Sequence, residues 1–77
     1  MNVMVEIELD LSGLVCPLPL LKTKQALNGM KSGQKVKVLA TDPGSERDFQ
    51  AFAEQSGNAL LDMQRLDGKF YYLLEKQ

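Results

Sequence analysis

The sequence predicts an α/β two-layer sandwich in which two helices pack on one face of a four-stranded mixed sheet. Three observations lead there. Apolar residues alternate with polar ones in the N-terminal and central segments, the period of half-buried strands, and two further strands close the chain. Two stretches between them repeat with a helical period. The resulting order, βαβαββ, buries one stripe of each helix against one sheet.

The first strand is expected from Val3, Val5, Ile7 and Leu9, which alternate with Met4, Glu6, Glu8 and Asp10. Ser12-Gly13 breaks the run. A helix should begin at Cys16, with Pro17 at its first position and Pro19 still in its first turn. There a missing N–H costs nothing, because those donors have no intrahelical partner. Leu20, Thr23, Ala26, Leu27 and Met30 share one face of this helix, and Lys22, Lys24, Gln25 and Asn28 the other. Gly29 and Gly33 bracket its end, Gly33 suiting a left-handed cap.

Val36, Val38 and Ala40 alternate with Lys35, Lys37 and Leu39 in the second strand. Asp42-Pro43-Gly44 is a turn, and Ser45 with Asp48 three residues on predicts a capping box for the second helix. Phe49, Phe52 and Ala53 form that helix's buried stripe, and Gly57 ends it. Strands near Ala59–Leu66 and Phe70–Glu75 complete the order, joined by a tight hairpin at Asp67-Gly68. The first strand–helix–strand unit makes a parallel pair and the hairpin an antiparallel one.

Seventy-seven residues (1–77) form a single domain, and a chain of this size buries only about 60% of its unfolded surface. A deep enclosed active site does not fit. No apolar run approaches the roughly 20 residues of a membrane helix, so no membrane association is expected. The first residues lack the basic and apolar regions of a secretion signal, and a cytoplasmic location is expected. The sole cysteine cannot form an internal disulfide and suits a reducing compartment. The chain has no histidine, which removes Cys-His and Ser-His nucleophile pairs and histidine-containing zinc sites. Its ten carboxylates show no EF-hand spacing; neither a metal nor a cofactor is expected.

A net charge of -1 gives no global pull toward nucleic acid. The charge is uneven, however. From Pro17 to Thr41 there are five lysines and no acid. A solvated basic face explains such a run, and a docking surface for an acidic partner is the alternative. The lack of an exposed aromatic–basic stripe counts against direct nucleic-acid binding.

Cys16 is the one position where chemistry is legible. At a helix N-terminus the partial positive charge favours a thiolate, which is the nucleophile. Pro17 and Pro19 remove two N–H donors, leaving mainly those of Leu18 and Leu20, so the prolines chiefly stiffen the first turn. A lone cysteine is more often a buried small hydrophobe, and that bland explanation stands beside the reactive one. Leu18 and Leu21 fall outside the buried stripe of the helix, close to Cys16. They are either covered by the loop around Leu11–Val15 or left exposed as an apolar patch ringed by Lys22 and Lys24.

The run Leu9-Asp10-Leu11-Ser12-Gly13-Leu14-Val15-Cys16-Pro17-Leu18-Pro19 resembles the signature of the TusA/SirA/YedF family of small sulfur carriers. Agreement continues through Ala26-Leu27, Gly33, Thr41-Asp42-Pro43-Gly44-Ser45, Asp48 and Ser56-Gly57, nearly the whole chain. The resemblance implies the same βαβαββ sandwich. It implies that Cys16 is the catalytic residue, taking sulfane sulfur as a persulfide and relaying it to an acceptor protein. Its implied donor is a cysteine desulfurase or a rhodanese-like enzyme, its implied pathway one such as tRNA thiolation, sulfur oxidation or cofactor assembly. Such a protein works with partners, as a monomer, rather than as a stand-alone multiple-turnover enzyme. Leu18, where the tRNA-thiolation member has an acidic residue, and Asn58, where many relatives have histidine, set this chain apart. The rival is a non-catalytic regulatory or adaptor module whose cysteine is structural or redox-sensing.

Overall fold

Alternation along the strands decides which face of the sheet is covered. In the computed structural model, which describes residues 4–77, β1 (Ile7–Leu11) pairs parallel with β2 (Lys35–Ala40), Leu11 opposite Ala40. β2 pairs antiparallel with β4 (Lys69–Glu75), and β4 with β3 (Ala59–Leu66), giving the order β1-β2-β4-β3. Val36, Val38 and Ala40 lie opposite Leu74, Tyr72 and Phe70, and all six are buried. Cross-strand partners share a face, so these side chains form one apolar surface.

Two helices cover that surface. α1 (Leu18–Asn28) contributes Thr23 and Leu27, and α2 (Ser45–Ser56) contributes Phe49 and Phe52. Met30, just past α1, completes the layer. The Phe49 and Tyr72 rings stack with centroids 4.3 Å apart. On the opposite sheet face Lys37, Leu39, Tyr71 and Leu73 have no covering layer among the described residues. The expected α/β sandwich with a mixed sheet is therefore the fold observed.

Several local expectations are corrected. β1 begins at Ile7, so Val5 precedes the strand, and Val3 lies outside the described residues. Pro19, not Leu20, is fully buried at the start of α1; Leu20 and Ala26 are half-buried. Gly29 caps α1 with φ -91°, and the left-handed Gly33 sits in the following loop, donating its N–H to Lys76 O. The hairpin at Asp67-Gly68 is as expected: φ values of 52° and 77° are those of a type I′ turn.

Candidate functional site

Parallel pairing of β1 and β2 sends both following loops out at the same end of the sheet. They touch: Gly13 N–H donates to Thr41 Oγ1 over 2.8 Å. Asp10 holds the first loop's turn, its carboxylate accepting from the Ser12 N–H and hydroxyl, and both bonds pull that carboxyl below the usual range. Cys16 ends this loop, exposed, joined by a cis peptide to Pro17. Pro17 caps α1, Leu18 is its first residue and Pro19 its second.

The thiol faces the start of α2. Cys16 Sγ donates a hydrogen bond of 2.9 Å to Asp48 Oδ2. The two share an open cleft of about 650 Å³, lined also by Pro43, Gly44, Glu46, Arg47 and Gln50. A second hollow, about 440 Å³, lies against the uncovered sheet face and holds no thiol.

This arrangement reverses the expected acidity of Cys16. The hydrogen bond to Asp48, then desolvation, then the negative charges of Asp48 and Asp42 push the thiol above its ordinary range. The N-terminus of α1 does not offset them. Leu18 N–H, one of the two donors expected to serve the sulfur, is engaged by Val15 O at 2.9 Å. A carboxylate in direct contact outweighs the fractional charge of a helix end.

Asp48 is the residue that sequence reasoning misplaced. The capping box does not form: α2 has no side-chain cap, and Ser45 Oγ instead bonds Tyr72 OH, 2.6 Å away in the core. Asp48 is thereby free to meet the thiol. Asp42 Oδ2 is buried without a hydrogen-bond partner among the described residues, and Asp42 is the last and smallest contributor to the raised pKa of the thiol.

The remaining singled-out residues separate. Val15, Leu18 and Leu21, near Cys16 in sequence, are 64%, 41% and 45% exposed, so the loop does not cover the two leucines. Lys22 and Lys24 are exposed beside them, Lys24 lying over the Phe52 ring. Lys35 pairs with Glu75 at 3.3 Å, and Lys37 lies on the uncovered sheet face. The five lysines thus do not make one surface. Asn58 is buried and pins the C-terminus, its Oδ1 accepting the Gln77 N–H at 2.8 Å, a structural role away from the thiol.

Known proteins resemble this chain along nearly its whole length. A family model described as Sulfurtransferase TusA matches residues 7–76. Sulfur carrier protein TusA of Allochromatium vinosum is 56% identical over 69 residues, covering 90% of this chain and 91% of its own. The protein of the same name from Pseudomonas syringae pv. syringae is 37% identical, covering 99% and 90%. The crystal structure of a SirA-like protein from Desulfitobacterium hafniense superposes with a TM-score of 0.78 at 30% identity, covering 90% of this chain and 95% of that one. The chain belongs to the TusA family of sulfur carrier proteins.

Proposed function

We propose that Cys16 carries the sulfur as a persulfide and that residues 1–77 act as one carrier domain. The observation that supports this is the placement of the only cysteine: an exposed thiol at the tip of the sheet, on a proline-stiffened turn. The partner supplies the other half of the exchange, so the absence of histidine from this chain is no obstacle to carrying sulfur. The donor is a cysteine desulfurase or a rhodanese-like protein, and the acceptor a second protein thiol. Val15, Leu18 and Leu21 form the apolar rim against which both pack, with Lys22 and Lys24 guiding approach. The protein works as a monomer in the cytoplasm, without binding nucleic acid itself.

Incubation with a desulfurase and cysteine, or a rhodanese and thiosulfate, should add the mass of one sulfur atom. A reductant should remove that mass, and Cys16→Ser should prevent its addition. If neither donor loads the wild-type protein, Cys16 is not the carrier residue.

A further inference from the structure

Asp48 and Cys16 are 32 residues apart in sequence, yet their side chains meet at 2.9 Å. Asp48 is held firmly. It lies in the first turn of α2, its N–H donates to Gly44 O at 3.2 Å, and the next residue, Phe49, is fully buried. We propose that Asp48 is a positioning residue for sulfur transfer: it holds Cys16 as a protonated thiol facing the cleft, and takes the proton when the sulfur attacks. The proposal rests on the reading of Cys16 as the sulfur-carrying residue.

The charges around the sulfur agree. α2 presents Asp48, Glu46 and Arg47 to the cleft, and the loop before it contributes the charge of Asp42. Glu46 is bound to Arg65 at 2.6 Å, which leaves Arg47 as the one cation lining the cleft among the described residues. α1 places no acid in its first turn; Lys22 and Lys24 are exposed beyond it. The field at the sulfur is therefore negative, and the thiol is held above its ordinary range.

The transfer step balances without an external oxidant or reductant. Cys16 Sγ attacks the terminal sulfur of the donor's persulfide; the new S–S bond forms as the donor's own S–S bond breaks. The thiol proton passes through the Asp48 carboxylate to the departing donor thiolate. The sulfane sulfur keeps its oxidation state. Between transfers the thiol is exposed but un-ionised, which slows its oxidation and alkylation.

The test is the rate of alkylation by iodoacetamide from pH 6 to 10.5 for the wild-type protein and Asp48→Asn. Each pH unit by which the variant's midpoint falls gives about tenfold more thiolate at pH 7. The less basic thiolate is about threefold less nucleophilic per unit. The variant should then react about threefold faster at pH 7 and about threefold slower on the alkaline plateau for each unit of displacement. Loosened structure would speed both limbs, so crossing curves separate positioning from packing. Superimposed curves, or a variant faster at every pH, overturn the proposal. Should Asp48→Asn not fold, the wild type decides: a midpoint below about 8.5, the value of a free thiol, overturns it, and one above supports it. The two readings fail separately. Superimposed curves leave sulfur loading on Cys16 intact, whereas crossed curves in a protein that accepts no sulfur leave only the Asp48–thiol contact standing.

Discussion

The two helices begin in opposite ways, and the site lies between their beginnings. α1 starts with Pro17, Leu18 and Pro19, has no acid in its first turn and no side-chain cap, and carries the exposed Leu18 and Leu21. α2 starts with Ser45, Glu46 and Asp48, and its first turn is tied into the core through Ser45 and Phe49. The first beginning sets where the sulfur is presented; the second sets its charge state. Read from α1 alone, Cys16 should be a ready thiolate. Read with α2 opposite, its acidity is lowered by the contact with Asp48. The nearer and fully charged group decides.

The largest effect that would sharpen this contrast lies at the anchor of α2. Phe49→Ala removes a fully buried ring stacked on Tyr72 and should cost about 3–5 kcal/mol in urea unfolding. A loss below about 1 kcal/mol would mean that α2 is not fixed through its core face, and the comparison would break.

An intermediate effect is expected at the Ser45–Tyr72 bond. Ser45→Ala and Tyr72→Phe each leave one buried hydroxyl without its partner, and each should cost about 1–3 kcal/mol. The double variant should lose clearly less than the sum of the two. Strict additivity would show that the two hydroxyls do not act as a pair.

The smallest effect on stability belongs to α1. Leu18→Ser and Leu21→Ser replace exposed side chains and should change stability by less than about 1 kcal/mol. Sulfur transfer from a partner should nonetheless slow, through weaker binding. Variants that unfold, or that transfer sulfur at the wild-type rate, would remove the apolar rim as a docking surface.

Legibility in the sequence followed the range of the interactions. The order of strands and helices, most of both helix stripes and the tight hairpin rest on neighbours one to four residues apart and were readable from period and turn residues; the start of β1 and the burial of Pro19 were not. The exposed turn that presents Cys16 was readable because its prolines are adjacent. The Ser45–Asp48 spacing was also local, and it misled: a core phenol competed for the Ser45 hydroxyl, and the exposed thiol took Asp48. A signal for that contact did exist. Two loops that follow neighbouring parallel strands must emerge at one end of the sheet, which places Cys16 near Asp42–Asp48 before any side chain is seen.

By itself the sequence determined the βαβαββ order, the absence of an internal disulfide and the one thiol on which the proposed sulfur transfer rests. Each of these is a matter of composition, spacing or short-range period. Only the tertiary structure decided the direction in which that thiol's acidity moves, the exposure of Leu18 and Leu21, and the division of the five lysines between surfaces. Those properties depend on which groups from distant segments lie within a few ångströms, and electrostatic and packing energies fall off over that distance.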